Sequence, residues 1–218
     1  MSRDFFEFDE RGRGLDRTIS FSDGVFAIAI TLLVLNSRLP HVVGSHDQSR
    51  QLFDGLRRDS GVLVGFVLSF YVIARYWCAH HRLSLILKTV DNRFISLNLI
   101  FLAVIVFLPY PTEIVGLYGN TTTAVVLYAS TLVLVSATSV ALWQHAFKAG
   151  LLDQRPVGLR RQIWSRSVVP TVVFGLSIPV AFLTPSAAKD IWLLLLTSPL
   201  VVPILEGERK LRGSARPS

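Results

Sequence analysis

Long stretches without a charged side chain constrain this sequence more than any other feature. Residues 94–112, 120–145 and 167–188 contain no Asp, Glu, Lys or Arg. A helix needs about 20 consecutive apolar residues to cross the hydrocarbon core of a bilayer. Transmembrane strands would instead show short segments of alternating polarity. These runs do not alternate, and they therefore predict membrane-spanning α-helices.

Six such helices are predicted in the chain. Charged residues are only 17% of it, against roughly 25% in soluble domains, and the mean hydropathy is +0.49. The second span tolerates one charge, Arg75, near its end. The predicted spans are residues 19–36, 61–77, 94–112, 120–145, 167–188 and 191–205.

The distribution of Lys and Arg predicts the orientation of these helices. Basic residues precede the first span, follow the sixth, and fill the segments between spans two and three and between spans four and five. The positive-inside rule assigns those segments, and thus both termini, to the cytoplasm. Residues 37–60 are the exception, because this predicted outer loop also carries Arg38, Arg50, Arg57 and Arg58. Topology thus explains the net charge of +7, and we expect no nucleic-acid partner.

The chain divides into one membrane domain with two polar ends. Residues 1–16 form a cytoplasmic segment that is either a short interfacial helix or disordered. Residues 17–206 form the transmembrane domain, and residues 207–218 are expected to be a disordered cytoplasmic tail, because they have little to bury. Cys78 is the single cysteine, which excludes a disulfide within the chain.

The first span contains an aspartate, Asp23, near its start. An ionisable group at membrane depth is costly and needs either a structural partner or a function. His80 and His81, near the cytoplasmic end of the second span, could donate a hydrogen bond to Asp23 or relay protons. Asn98, in the third span, could bind Asp23 or Ser22, and Trp77 fits an interfacial aromatic belt.

A stripe of residues on the first helix points away from Asp23. At 100° per residue, Asp23 lies roughly 140° from Ile28. Two interpretations of the stripe remain open from periodicity alone: it faces lipid or neighbouring helices, or copies of it meet on an axis and form a pore with an apolar constriction. The stripe consists of Gly24, Ile28, Thr31 and Leu35, with Leu32 beside it.

Other motifs give little support to different functions. The sequence has no nucleophile elbow, phosphate-binding glycine loop or metalloprotease motif, and it is not expected to be an enzyme or to need a cofactor. Pro109 and Pro111 are expected to end the third span. The string GLYGN at residues 116–120 then falls in the following loop, which has no room for the pore helix of a TVGYG filter.

Residues 17–35, RTISFSDGVFAIAITLLVL, resemble the signature of the transmembrane protein 175 family, the endolysosomal potassium channels and their prokaryotic relatives. The hallmark Arg-x-x-x-Phe-Ser-Asp is matched by four residues of this segment. The resemblance extends over about residues 15–112 and includes an aromatic, a histidine and an asparagine in later helices. The matching residues are Arg17, Phe21, Ser22, Asp23, Trp77, His80 or His81, and Asn98.

The resemblance implies an all-α membrane protein with six helices per chain, no re-entrant pore loop, and four chains around a pore lined by the first helix. It implies that Ile28 forms the constriction, that Leu32 and Leu35 add apolar rings, and that Thr31 contributes to potassium preference. The expected function is a potassium-permeable channel in a prokaryotic cell membrane, with potassium as permeant and no resident metal. The alternative is a proton-coupled transporter that uses Asp23 and His80 or His81.

Overall fold

The computed structural model describes residues 3–35, 47–153, 159–188 and Trp192, with side chains from Gly14 onward in the first helix and from Thr171 onward in the last. Within these residues the chain is helical, apart from turns and an isolated bridge between Leu87 and Leu152. The helices are α1 (Arg3–Leu35), α2 (Gln48–Arg58), α3 (Ser60–Ser84), α4 (Asn92–Phe107), α5 (Pro109–Tyr118), α6 (Thr122–Lys148) and α7 (Leu159–Leu183).

Four helical segments of the described chain are long and apolar enough to cross a bilayer. They are Gly14–Leu35, Ser60–Ser84, Asn92–Tyr118 and Thr122–Lys148, and they coincide with the first four predicted spans. The fifth predicted span falls largely in α7, whose described side chains include the apolar segment Thr171–Leu183. The sixth predicted span and the tail lie outside the described residues, apart from Trp192.

The amino-terminal segment is helical from Arg3 and continuous with the first span. The sequence leaves a short helix or disorder open for residues 1–16, and the structure contains a helix there without a break before Gly14.

Helix α6 lies at the centre of the bundle. Half of its most apolar 18-residue window is buried, against 22% for α1. It packs against α4, α5 and α7, which surround it because its buried positions recur every three to four residues on more than one face. Its contribution to the main hydrophobic cluster is Val125, Tyr128, Ala129, Leu132 and Val135.

The third span is two helices in line. Helix α4 ends at Phe107, and Pro109 opens α5, which continues to Tyr118. Proline lacks an N–H but is tolerated in the first turn of a helix, where that donor has no intrahelical partner. The prolines expected to end this span therefore start a new helical segment, and the GLYGN string forms the end of α5 and the turn into α6.

Two glycines allow α3 and α5 to approach each other closely. A Cβ atom on Gly61 would lie 2.7 Å from the carbonyl oxygen of Gly116, and one on Gly116 would lie 2.9 Å from Cα of Val62. Small residues at such crossings let backbones pack tightly where no hydrophobic effect drives helices together. Ser69 on α3 adds hydrogen bonds to Thr112 on α5 and Tyr128 on α6, at 2.8 and 2.9 Å.

A second apolar cluster closes the end of the bundle that contains the start of α4. Asp91 caps α4 by accepting a hydrogen bond from the Phe94 N–H at 2.6 Å, and His145 of α6 lies 2.9 Å from both carboxylate oxygens. Desolvation opposes ionisation of Asp91, but the Phe94 N–H, His145 and the charge of Arg93 outweigh it and lower the pKa of this carboxyl. Through its contact with His145, Asp91 also connects α4 to α6.

Candidate functional site

Helix α1 has one face packed on the bundle and one face left uncovered by the described part of the chain. Ser22, Phe26, Ala29 and Leu33 are buried against α3, α4 and α5. They are spaced by four, three and four residues, the spacing of a single helical face. Because these residues turn inward, the opposite face of the same helix turns outward.

A chain of hydrogen bonds holds the inward face of α1 to α4 and α3. Asn98 Nδ2 donates to Ser22 Oγ at 2.9 Å, and Ser22 Oγ donates to the backbone carbonyl of Thr18 at 2.8 Å. The other amide atom, Asn98 Oδ1, lies 2.9 Å from His80 Nε2. Ser22, Asn98 and His80 are all buried. Three helices are thus joined by polar contacts that lipid cannot replace.

The direction of these bonds identifies the histidine tautomer. Because Asn98 Nδ2 donates to Ser22, Asn98 Oδ1 must be the acceptor, and His80 Nε2 must carry the hydrogen. The other ring nitrogen, His80 Nδ1, is buried without a hydrogen-bond partner among the described residues. The ring stacks on Phe101 at 5.9 Å with an interplanar angle of 5°, and Phe26 lies 5.8 Å away. The geometry fits a neutral, structural histidine.

Asp23 is bound by an indole rather than by a histidine. Trp77 Nε1 donates a hydrogen bond to Asp23 Oδ1 at 2.9 Å, which joins α1 to α3. His81 stacks on the Trp77 ring at 5.3 Å and 18°. The sequence predicts Trp77 for an aromatic belt, and in the structure this exposed indole also uses its N–H to bind Asp23 of the neighbouring helix.

The outward face of α1 carries the predicted stripe. Gly24, Ile28, Thr31 and Leu35 are exposed in the single chain, whereas Leu32 is half-buried. The exposed fractions are 58% for Ile28 and 73% for Leu35. Three of the residues expected to line a pore thus share one uncovered surface with Gly24, and Leu32 is turned partly toward the bundle.

The Thr31 hydroxyl is oriented by its own helix. Its Oγ1 donates a hydrogen bond to the Ile28 carbonyl at 2.8 Å. A hydroxyl has one hydrogen and two acceptor lone pairs. Since the hydrogen is directed to the backbone, the exposed oxygen offers lone pairs to its surroundings, which suits contact with a cation.

The remaining two residues of the sequence signature lie at the rim of the same surface. Arg17 and Phe21 are exposed and line a groove of about 590 Å³ between α1 and α4. Asn98 forms part of the groove wall. Ser22 and Asp23 therefore attach α1 to its neighbours, while Arg17 and Phe21 face outward beside them.

A protein-bound metal is not suggested by the side chains. Among the described side chains of residues 14–35, 47–57, 59–153, 171–188 and 192, no three His, Cys, Asp or Glu come together as a set of ligands. His145 and Asp91 form the one histidine–carboxylate ion pair found in these ranges, and they belong to the scaffold.

Known proteins resemble this chain over the segment that carries the signature. The profile of a family described as "Endosomal/lysosomal potassium channel TMEM175" matches residues 17–109. A potassium channel of Streptomyces collinus is 34% identical over 144 residues, which cover 64% of this chain and 68% of the relative. A potassium channel of Chamaesiphon minutus is 32% identical over 144 residues, 62% of this chain and 68% of that one.

The fold is shared as well. The crystal structure of a lysosomal potassium-selective channel TMEM175 homolog from Chamaesiphon minutus superimposes with a TM-score of 0.68. The superposition covers 83% of this chain and 93% of that one at 24% identity. The profile match includes both the Phe-Ser-Asp segment and the Trp77, His80 and Asn98 side chains that hold it. With this network, two such relatives and the common all-helical architecture, the chain belongs to the transmembrane protein 175 (TMEM175) family.

Proposed function

We propose that this chain is the subunit of a potassium-permeable channel whose pore is lined by α1. The observation that carries the proposal is the division of α1 into two faces. One face is bound to the bundle through Ser22, Asp23 and Phe26, and the other exposes Ile28 and Thr31. The names of the bacterial relatives, both potassium channels, support the choice of ion.

The proposed assembly is a homotetramer in a prokaryotic cell membrane. Each chain contributes six membrane-spanning helices with both termini in the cytoplasm, and four α1 helices surround a central axis. The uncovered surface of α1 supports this arrangement, because an exposed face containing Gly24 allows other helices to approach closely. A symmetric ring is the usual way in which identical chains bury one shared surface.

The proposed constriction is apolar rather than a carbonyl filter. Ile28 would form the narrowest ring, with Leu35 and the half-buried Leu32 adding rings toward the carboxyl end of α1. Narrow apolar rings empty of water and thereby control ion passage. The Thr31 hydroxyls would supply a ring of oxygen atoms next to this barrier, and their orientation toward the Ile28 carbonyl supports that role.

Ion flux in reconstituted vesicles tests the function. Purified protein in liposomes loaded with potassium should give a potassium-driven flux that exceeds the sodium flux. In planar bilayers the same protein should give unitary current steps. A flux that saturates at low substrate and follows an imposed pH gradient would contradict the channel and favour the proton-coupled transporter. The absence of any selective flux from correctly assembled protein would contradict both.

The Thr31→Val substitution tests the selectivity role separately. Valine has nearly the same volume but lacks the oxygen, and the ratio of potassium to sodium flux should therefore fall by about threefold or more, the effect of losing one hydrogen-bond-sized interaction. Thr138→Val, at a threonine of α6 whose hydroxyl bonds only within its own helix, is the matched control. An unchanged ratio in Thr31→Val would remove Thr31 from the selectivity mechanism.

A further inference from the structure

Helix α2 immediately precedes a membrane-spanning helix. It ends at Arg58, and a single residue, Asp59, separates it from Ser60, the first residue of a membrane-spanning helix. The Asp59 N–H bonds to the Gly55 carbonyl at 2.9 Å, which holds the junction together. Because the membrane-spanning α3 begins immediately after this junction, the carboxyl end of α2 lies next to the boundary between lipid and water.

One face of α2 is apolar and uncovered. Leu52, Phe53 and Leu56 lie within roughly 100° of one another around the helix axis. Their exposed fractions are 44%, 64% and 43%, although they are the large apolar residues of this helix. Three such side chains on an 11-residue helix that is otherwise polar are typical of helices lying in the plane of a membrane interface.

Two arginines flank this apolar face on the same side. Arg50 and Arg57 are seven residues apart and thus only roughly 20° apart around the axis, and both are exposed. They lie roughly 40–60° beyond the Phe53 edge of this face, and Asp54 lies roughly 40–60° further around the axis, beside them. An arginine at such an edge can rest its aliphatic part on apolar surface and extend its guanidinium to a phosphate oxygen.

We propose that α2 is an interfacial helix that binds the anionic phosphodiester headgroups of membrane lipids. Leu52, Phe53 and Leu56 enter the boundary of the acyl chains, and Arg50 and Arg57 bind the phosphates. The arrangement also explains the basic residues in this segment, which the positive-inside rule disfavours on the predicted outer side. Lipid is favoured over a second copy of the chain because α2 is continuous with a lipid-crossing helix and its charges complement phosphate.

Depth-sensitive labels on the two faces of α2 test the proposal. In a Cys78→Ser background, Phe53→Cys and Asp54→Cys are labelled with a polarity-sensitive fluorophore and reconstituted in vesicles containing brominated phosphatidylglycerol. The Phe53→Cys label should be quenched about twofold or more beyond the Asp54→Cys label, because only the first position faces the acyl chains. Equal quenching at both positions, or efficient disulfide cross-linking of unlabelled Phe53→Cys between chains, would overturn the proposal.

A charge-matched pair of variants tests the role of the arginines. Here the quencher is a constant fraction of brominated phosphatidylcholine. As unbrominated phosphatidylglycerol replaces unbrominated phosphatidylcholine, quenching of the Phe53→Cys label should rise, and Arg50→Gln/Arg57→Gln should abolish the rise. Lys88→Gln/Lys148→Gln removes the same charge from exposed positions at the other end of the bundle and should preserve the rise. Equal size-exclusion profiles ensure that only assembled protein is compared. A rise that persists without Arg50 and Arg57 would contradict phosphate binding by these residues.

Discussion

Helices α1 and α3 are almost equally exposed, but their exposed faces differ in composition. In their most apolar windows, 22% of α1 and 28% of α3 are buried. The exposed face of α3 presents a row of large apolar side chains, Leu63, Val64, Val67 and Phe70. The exposed face of α1 also has large apolar residues, among them Ile28, Val34 and Leu35, but Gly24 and Thr31 lie between them.

This difference suggests two kinds of surroundings for side chains that are exposed in a single chain. A continuous row of large aliphatic and aromatic residues, as on α3, suits contact with lipid tails. Small residues and a hydroxyl among apolar side chains, as on α1, suit close contact with other helices and with a hydrated ion. The proposed pore depends on such contacts of the exposed face of α1 and on the hydrogen bonds that fix the rotation of this helix.

The largest expected effect on stability distinguishes the buried face of α1 from the exposed face of α3. Phe26→Ala should lower the free energy of unfolding by roughly 2–4 kcal/mol. This is below the usual range for a buried phenylalanine, because in the unfolded state the side chain is still partly surrounded by detergent or lipid rather than by water. Phe26 is 1% exposed, whereas Phe70 on α3 is 44% exposed. Phe70→Ala should therefore cost far less in the same denaturant titration in micelles. Equal costs would remove the distinction between the faces.

The next effect concerns the polar contacts that set the rotation of α1. Asn98→Ala removes the bonds to Ser22 and His80 and leaves buried polar atoms unpaired, which should cost roughly 1–3 kcal/mol. Ser96→Ala on the same helix is the control, since Ser96 is exposed and donates only to the Asn92 carbonyl. The same titration compares the two variants, and a similar small cost in both would show that the network does not hold α1.

A smaller effect is expected where α1 and α3 meet. Trp77→Phe keeps an aromatic ring but loses the N–H that donates to Asp23, at a cost of roughly 0.5–1.5 kcal/mol. Asp23→Asn retains an acceptor oxygen and should be milder. If the fluorescence-detected melting temperature falls in neither variant, Trp77 is an interfacial belt residue and its bond to Asp23 does not contribute to stability.

The smallest effect lies in the scaffold, away from both faces. The pKa of Asp91 is lowered in the folded chain, and its ionised form therefore stabilises the fold above the unfolded pKa and loses this contribution as pH falls through the folded one. Asp91→Ala should cost about 1 kcal/mol near neutral pH through loss of the helix cap, and the deficit should shrink in acid. Denaturant unfolding titrations at several pH values check this, and a deficit of the same size in acid would contradict a stabilising role of the ionised carboxylate.

The first four span positions and the rotation of α1 could be predicted from sequence because each follows from local spacing. Charge-free runs give the spans, and the 100° period places Ile28 and Thr31 on one side and Asp23 away from them. The partner of Asp23 could not be predicted in this way. His80, His81, Trp77 and Asn98 all lie at a similar depth, and the sequence does not reveal how α3 and α4 are rotated relative to α1.

The prolines and the segment before α3 illustrate the same limit. Pro109 can end a helix or begin one, and the sequence alone does not distinguish the two; in the structure it begins α5, which packs closely on α3 at Gly61 and Gly116. The sequence predicts residues 37–60 as an outer loop. Its 11-residue helix α2 is nevertheless formed, next to a span whose start defines the membrane boundary.

A pair of substitutions at equally exposed positions tests the pore-lining role of α1 most directly. Ile28 is 58% exposed and Val67 on α3 is 60% exposed, and asparagine at either site places a polar amide on the surface of one chain. Ile28→Asn should wet the constriction and raise the potassium flux of reconstituted vesicles about tenfold or more, while Val67→Asn should leave it near the parent value. An Ile28→Asn channel that conducts no better than the parent, or equal increases in both variants, would contradict a pore lined by α1.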